Sequence, residues 1–437
     1  MQTNRSKLEA YAAGYRGLFK DKRLFTGFVG TLQGIIGSQS LRVSRIANSS
    51  SLLGTSQHGE RRVRRLVHNQ NGRADSDAQS LSERLTNEGA NRLKGEHEVL
   101  LILDESDLRK PFASCIEHLD RVRSLEGELV PGFHTLNVLA IGASGRRAIL
   151  YHHSFSTREP GFKSTGAEYK KAIDSVTTEL RGQGVGRLLW VIDRAGDDIR
   201  LMQHIHVKGD CFVTRVQHLN RACLFDNKPT QLARAIAAAP VLASAKLEKR
   251  LIDPTAKRYK NKQLAVDIAA VSVELKAARG LEVCIAQVRS ALKASGWVLI
   301  TNLKLRAGEE AFLLERLLKI YRQRWAIEDL FAWSKSSLGW ETVQLMSFEA
   351  LKTLVAFAWI AAAFLHELGV AKEDETVAFL VRLGATHAHA RSSPRILATA
   401  LDHLASYLVV KQFAVQVGGE NRLLMLANDV FGVRDKP

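Results

Sequence analysis

Two short apolar runs, each followed at once by an aspartate, limit the folds open to this chain. Residues 99–103 read VLLIL before Asp104, and residues 188–192 read LLWVI before Asp193. Runs of this length without a polar interruption are typical of strands buried on both faces of a sheet. Because sites in α/β proteins are assembled where central strands end, we expect the two aspartates to lie at such a site.

The segment between the two runs completes a mixed α/β pattern. Residues 136–141 and 148–152 are strand candidates joined through the turn sequence GASG, which predicts a hairpin. Residues 167–181 predict a helix with Glu168 on its exposed side. After the second aspartate the chain becomes β-like, with strand candidates at 211–216, 264–273, 281–288 and 297–302.

A polar stripe is predicted on a helix in the last third of the chain. Residues 309–338 are rich in helix-forming residues and contain no proline. Tyr321, Arg324, Glu328 and Lys335 follow one another at spacings of three, four and seven, so they share an arc of about 60° on the helix. The alternative is an ordinary solvated face with an Arg324–Glu328 pair, worth roughly a few tenths of a kcal/mol.

Asp104, Asp193 and Glu328 are three carboxylates that can converge. Together they would repel unless a divalent cation neutralised them, and carboxylate oxygens are ligands that Mg²⁺ prefers. Two such ions roughly 3.5–4 Å apart would activate an attacking oxygen and stabilise the leaving oxygen of a phosphodiester. Each aspartate alone has another interpretation, as a loop or helix-capping residue.

The net charge of +17, with a pI near 9.8, predicts a polyanionic partner. The longest apolar run, residues 354–365, has 12 residues and is too short to cross a bilayer, so no membrane association is expected. No glycine-rich phosphate loop indicates a nucleotide cofactor. The four cysteines have no metal-ligand spacing, which indicates reduced thiols of a cytoplasmic protein.

Just over half of that charge lies in the first 95 residues, which hold 16 Lys+Arg and 7 Asp+Glu. Helices are predicted there at 24–36, 41–47, 57–68 and 76–94. The third of these helices carries four arginines: Arg61, Arg62, Arg64 and Arg65. Four basic residues within five positions repel one another without a partner, which favours docking on DNA over a merely soluble basic helix.

Taken together, these segments resemble the DDE-class insertion-sequence transposases, in the branch with a Tyr-Arg-Glu-Lys (YREK) signature. The resemblance rests on Asp104 in LILDESDLRKP, Asp193 in WVIDRAGD and the motif YRQRWAIEDLFAWSK, in that order, and it extends to about residue 368. The chain departs from the family at Ser334, where the family often carries a tryptophan before the lysine.

The resemblance implies an α/β fold with a ribonuclease-H-like core. The core would span residues 96–345 and be interrupted at about 205–305 by a mostly β insertion. A helical, basic DNA-binding domain would occupy residues 1–95. A helical C-terminal region would occupy residues 346–437 and take part in dimerisation.

The resemblance also implies roles for individual residues. Asp104, Asp193 and Glu328 would be catalytic and would bind two Mg²⁺ ions, for which Mn²⁺ could substitute. The implied DNA contacts are Tyr321, Arg324 and Lys335 on phosphates of the transposon end, Arg215 near the site, and Trp297 on a flipped base. For Trp297 a plain role as a strand anchor in the core stays open.

The resulting hypothesis is a cut-and-paste transposase that acts on double-stranded DNA, at transposon ends and at target sites. It would hydrolyse one strand and use the freed 3′ hydroxyl for strand transfer. Since two ends must be held together, a homodimer on DNA is expected, in the cytoplasm of a bacterial-type cell at its nucleoid. Two alternatives are a transposase-derived protein that binds DNA without cutting it, and a structure-selective nuclease on the same core.

Overall fold

The computed structural model describes residues 6–54, 56–69, 76–124, 126–253, 258–278, 280–290, 293–343, 345–370, 374–385 and 393–417. The described residues form a mixed α/β fold of two compact units. The sheet unit comprises Leu85–Asp107 and Phe133–Asp329. The helical unit draws on Met1–Arg84, Leu108–Gly132 and Leu330–Pro437.

The strands, in chain order, are β1 (Glu98–Arg109), β2 (Asp120–Arg123), β3 (Leu129–Gly142), β4 (Arg147–Phe155), β5 (Arg187–Ile192), β6 (Cys211–Arg215), β7 (Ala222–Phe225), β8 (Lys228–Gln231), β9 (Val241–Asp253), β10 (Arg258–Leu275), β11 (Glu282–Ser290) and β12 (Lys293–Thr301). The α-helices are α1 (Lys7–Ala12), α2 (Lys22–Ser38), α3 (Val43–Asn48), α4 (Ser56–Val67), α5 (Ala78–Arg92), α6 (Thr165–Gly182), α7 (Ile199–Val207), α8 (Leu232–Ala237), α9 (Glu310–Arg322), α10 (Ala326–Ala332), α11 (Phe348–Val370), α12 (Glu375–Gly384) and α13 (Pro394–Val417).

A large mixed sheet organises the sheet unit. Its strand order is β3-β1-β5-β6-β12-β11-β10-β7-β8, with β4 paired to β3 and β9 paired to β10. β1, β5 and β6 are parallel, whereas β3 and β4 form the predicted antiparallel hairpin. In the helical unit, β2 pairs with the first residues of β3. The apolar runs at 99–103 and 188–192 are therefore confirmed as adjacent central strands.

Side chains alternate between two faces along these strands. On β1, Val99, Leu101 and Leu103 belong to the core that also contains α6, whereas Leu100 packs in the core that contains α9. The ladder between β1 and β5 ends with Leu103 opposite Ile192. Asp104 and Asp193 come directly after this last pair of residues. By the same alternation their side chains point to the face of the sheet that α9 covers.

The prediction that Asp104 ends its strand is wrong. β1 continues to Arg109, because its other edge remains next to β3 after β5 has ended. Asp104 thus lies at the end of the parallel ladder but inside the strand. Asp193, in contrast, directly follows the last residue of β5, as predicted.

Two further expectations need correction, and the structure adds strands to those predicted. The β-like region contains two helices: α7, because Leu201, Met202 and Ile205 form one buried helical face, and α8, because Leu232 and Ile236 do the same. The strands β2, β7, β8 and β9 have no counterpart among the predicted strands. Glu168 is buried rather than exposed, since its carboxylate lies 2.8 Å from the ammonium of Lys171 and 3.5 Å from the His153 ring.

The predicted helix at 309–338 is not a continuous α-helix. After α9 the chain makes a 3₁₀ turn at Gln323–Trp325, then forms α10, and then a π-helical turn at Trp333–Ser337. A 3₁₀ turn is overwound and a π turn underwound relative to an α-helix. The four polar residues therefore do not lie on one arc of a single α-helix as predicted. Lys335 belongs to the helical unit, whereas Tyr321, Arg324 and Glu328 belong to the sheet unit.

The predicted N-terminal helices are confirmed with small shifts at their ends. α2, α3 and α4 belong to the helical unit, whereas α5 runs from the helical unit into the sheet unit. Among the helices of the described ranges, only α11 is long and apolar enough to cross a membrane, by length and composition. It has 23 residues, and 89% of its apolar window is buried inside the protein. The core helix of a compact protein passes the same test, so this helix is weak evidence for a membrane span.

Candidate active site

The turn after β5 fixes the backbone at Asp193. The hydroxyl of Thr214 on β6 donates to the carbonyl of Asp193 at 2.5 Å, and the Asp193 carboxylate accepts the N–H of Ala195 at 2.8 Å. A Cβ at Gly196 would lie 2.6 Å from the Ile192 side chain and 2.8 Å from the Thr214 hydroxyl. The turn therefore needs glycine at this position, and it holds Asp193 in a defined place.

A guanidinium joins the other two carboxylates. Arg324 donates to Asp104 at 3.0 Å and to Glu328 at 2.5 Å. Arg324 comes from the 3₁₀ turn between α9 and α10, and Glu328 lies in the first turn of α10. Three of the residues that the sequence singled out are thus in direct contact within the sheet unit.

The three carboxylates interact electrostatically. The pKa of Asp104 is raised to about 7, chiefly by burial and then by the negative charges of Asp193 and Glu328, while the Arg324 guanidinium opposes the rise. Like charges shift a pKa in this way only when they lie near one another, so the three carboxylates are close together. A set of three carboxylates, two of them in contact with one guanidinium, has the oxygen donors that a divalent metal ion needs.

A cluster of basic and aromatic groups lies beside these carboxylates. Tyr321 is buried, and burial raises the pKa of its phenol, against the opposing charges of Arg324 and Arg215. Burial, and after it the charge of Arg194, lowers the pKa of Arg215, which ends β6. Trp297 is half-buried, with its ring centroid 5.9 Å from that of Tyr321 in an edge-on arrangement. The sequence-predicted Arg215, Trp297 and Tyr321 thus form one group, and Trp297 also packs against the α9 core.

Trp325 received no functional role from the sequence, yet it is 56% exposed. The Arg324 guanidinium lies 5.1 Å from the centroid of its ring, within the range of a cation–π contact. An exposed tryptophan next to a partly buried charged cluster is unusual for core packing. Its position inside the Tyr321–Lys335 motif was the signal that could have identified it.

The remaining predicted DNA-contact residues lie in the helical unit. Lys335 is on the π-helical turn Trp333–Ser337. On α4, all four arginines are exposed, while Val63, Leu66 and Val67 are buried, as the sequence predicted. Arg62 also donates to the carbonyl of Leu52 at 3.3 Å.

A second group of potential metal ligands was not predicted. Ligand atoms of Glu105, Asp107 and His134 lie within 4.8 Å of one another. His134 Nδ1 is 2.8 Å from a Glu105 oxygen, and the hydroxyl of Tyr169 donates to the other oxygen of Glu105 at 3.5 Å. Because side chains alternate along β1, Glu105 and Asp107 point to the face opposite Asp104. Sequence reasoning missed the group because His134 comes from a neighbouring strand.

Residues 189–365 match the family model of the transposase DDE domain. The matched segment contains Asp193, Glu328 and all the predicted DNA-contact residues outside α4, whereas Asp104 precedes it. No curated protein matches the chain. The family match supports a DDE-class transposase, a class that acts on DNA with divalent metal ions.

Proposed function

We propose that this protein is a cut-and-paste DNA transposase with Asp104, Asp193 and Glu328 as its catalytic carboxylates. The observation that carries the proposal is the convergence of these residues: two follow paired positions on parallel strands, and Arg324 links the first of them to Glu328. The similarity of residues 189–365 to the transposase DDE domain supports the same reaction class.

The three carboxylates would hold divalent metal ions, Mg²⁺ or Mn²⁺. When bound, such ions activate water or a 3′ hydroxyl and stabilise charge on the leaving oxygen of a phosphodiester. The chain's own residues position the DNA. Arg215 and Arg324 would bind phosphate oxygens. Tyr321 keeps its proton at neutral pH, because its pKa is raised, and would donate a hydrogen bond to the same phosphate.

The aromatic residues would hold bases near the reacting phosphate. Trp297 and the exposed Trp325 offer faces on which an unpaired base can stack, worth about 1–3 kcal/mol per base. Lys335 would bind a further phosphate of the transposon end. The α4 arginines would bind the DNA backbone away from the site, which supplies affinity without reading sequence.

The proposal also covers the domain plan. We assign the protein to the YREK-type branch, with a ribonuclease-H-like core at 96–345. A β-rich insertion at about 205–305 would contain the strands β7 to β12. Residues 1–95 would bind DNA, and residues 346–437, of which those after 417 lie outside the described ranges, would contribute to a homodimer on two DNA ends. The protein would work in the cytoplasm, without a nucleotide cofactor.

Asp193→Asn tests the proposal. The variant should lose Mg²⁺-dependent cleavage of duplex DNA that carries the element's ends, and it should still bind that DNA. Asp226→Asn is the matched control, because Asp226 is exposed and its φ of 48° suits asparagine. Equal cleavage by the two variants would refute the assignment. Binding without any cleavage by the unmodified protein would favour a silent DNA-binding protein, and nicks without strand-transfer products would favour a nuclease.

A further inference from the structure

An open cavity lies beside the turn that carries Asp193, within the sheet unit. Its volume is about 690 Å³. The turn after β5, the start of α7 and the loop after β6 form its walls. The side chains used below are Arg194, Arg200, Gln203, Gln217 and His218, all of which line it.

One wall of the cavity is held by a buried carboxylate. Asp197 accepts the backbone N–H groups of Gln217 at 2.6 Å and His218 at 2.8 Å, and it pairs with Arg221 at 2.5 Å. The Asp197 side chain is fully buried. The loop after β6 is therefore tied to the turn after β5, and the cavity is preorganised rather than a gap between loose loops.

The cavity carries a positive charge available for a ligand. The charge of Asp197 is balanced by Arg221. Asp198 caps α7 by accepting the N–H of Arg200 at 2.7 Å and keeps its negative charge, so Arg194 and Arg200 leave one net positive charge on the lining. Arg194 and Arg200 are exposed, and within the described residues neither guanidinium makes a hydrogen bond or an ion pair. Two such groups at the mouth of a concave surface select an anion.

The size and the polar groups of the cavity indicate which anion. Its volume falls in the range of sites for organic ligands, far above that needed for one phosphate ion. The amides of Gln203 and Gln217 and the His218 ring supply donors and acceptors of the kind that pair with base edges. A phosphate-binding pair of arginines together with amides matches a nucleotide unit of a nucleic-acid strand.

The cavity adjoins the candidate active site at Arg194, which lines the cavity. This residue directly follows Asp193, and its charge influences the pKa of both Arg215 and Tyr321. We propose that the cavity binds one or two nucleotides of a single DNA strand next to the phosphodiester held at Asp193. Arg194 and Arg200 bind its phosphates, and Gln203 and Gln217 contact its bases. This inference rests on the proposed function.

Arg200→Gln compared with Arg234→Gln tests the inference. Both variants remove one exposed arginine from the sheet unit, and Arg234 does not line the cavity. Affinity is measured in EDTA by fluorescence anisotropy, with a blunt duplex and with the same duplex carrying a three-nucleotide single-stranded extension. We expect the extension to strengthen binding by the unmodified protein and by Arg234→Gln. In Arg200→Gln, the ratio of the affinity for the extended duplex to that for the blunt duplex should be at least about five-fold smaller.

Gln217→Ala provides a second variant, because its backbone N–H to Asp197 is retained while the exposed amide is removed. A smaller extension effect in Gln217→Ala supports the inference. An equal extension effect in all variants, or none in the unmodified protein, overturns it. Failure of the proposed function would be seen in a different experiment, as the absence of Mg²⁺-dependent cleavage by the unmodified protein. The binding comparison is made in EDTA and does not depend on cleavage.

Discussion

The guanidinium of Arg324 donates to the carboxylate of Asp104 at 3.0 Å, although 220 residues separate the two in the chain. The same guanidinium contacts Glu328 at 2.5 Å. Arg324 therefore occupies the position of a cation between two proposed metal ligands. Binding of a divalent ion by these carboxylates would compete with Arg324 and free its guanidinium for a DNA phosphate, so that one side chain links metal binding to substrate binding.

Replacement of Arg324 by glutamine should make the protein depend on divalent ions for its stability. In EDTA, Asp104 would remain beside Asp193 and Glu328 without its cation, and removal of a charged hydrogen bond costs about 1.5–3 kcal/mol. We expect the free energy of unfolding in urea to fall by that order. Added Mg²⁺ should then stabilise Arg324→Gln more than it stabilises the unmodified protein.

Lys319→Gln is the control for this experiment, because Lys319 is exposed on α9 and the substitution removes the same charge. Its unfolding free energy should change little with or without Mg²⁺. If both variants respond to Mg²⁺ to the same extent, Arg324 does not substitute for a metal ion.

Substitution of one tryptophan of the motif should weaken DNA binding, and substitution of another should lower stability. Trp325 is 56% exposed, whereas Trp333 is 2% exposed. Trp325→Ala should therefore leave the melting temperature almost unchanged but weaken binding of DNA with an unpaired base by about 5- to 160-fold, the equivalent of about 1–3 kcal/mol of stacking. Trp333→Ala should lower the unfolding free energy by about 3–5 kcal/mol. Calorimetry and DNA-binding titrations on the two variants measure both effects, and a stability loss in Trp325→Ala would contradict the assignment.

The arginines of α4 should govern the salt dependence of DNA binding. The triple replacement of Arg61, Arg64 and Arg65 by glutamine leaves the buried face of α4 intact, and it spares Arg62, which also contacts a backbone carbonyl. The slope of log affinity against log salt concentration should become shallower by up to about 0.9 for each phosphate that α4 no longer neutralises. Binding titrations between 50 and 200 mM salt, roughly the range over which this effect is large, measure the slope. An unchanged slope would show that these arginines of α4 do not contact DNA phosphates.

The sequence predicted what short-range patterns determine. The apolar runs before Asp104 and Asp193 specified two central strands, and the turn sequence GASG between two strand candidates specified the hairpin. The exposed arginines of α4 followed from helical periodicity alone. In each case the burial of a local apolar face decides the structure, and that face can be read directly from the residues.

Features that depend on distant partners could not be predicted. The contact between Arg324 and Asp104 and the grouping of Glu105 with His134 arise only when strands and helices assemble. Glu168 was misjudged because its charge suggested exposure, whereas the Lys171 ammonium pairs with its buried carboxylate. The 3₁₀ turn at Gln323–Trp325 contains neither proline nor glycine, so no residue marked the break in the helix.

Acid should destabilise the sheet unit through His152. His152 lies on β4 opposite Asn137 of β3 and is buried; its Nδ1–H donates to the Asn137 side-chain oxygen at 2.7 Å, and its Nε2 accepts from the Ser154 hydroxyl at 3.1 Å. Burial lowers the pKa of His152 well below the usual 6.5, and the neighbouring His153 lowers it further. Below about pH 6.5 the unfolded chain binds a proton that the folded protein does not, so stability falls as the pH drops.

Urea unfolding at several pH values between about 5 and 8 measures this effect. The single proton contributes a slope of up to about 1.4 kcal/mol per pH unit on the acid side. His152→Gln should lower stability at neutral pH, because the hydrogen-bond network is disturbed, and should also lose this part of the acid dependence. His97→Gln, at an exposed position of the same unit, should keep the full dependence. An identical pH profile in both variants would show that His152 is not the group that titrates on unfolding.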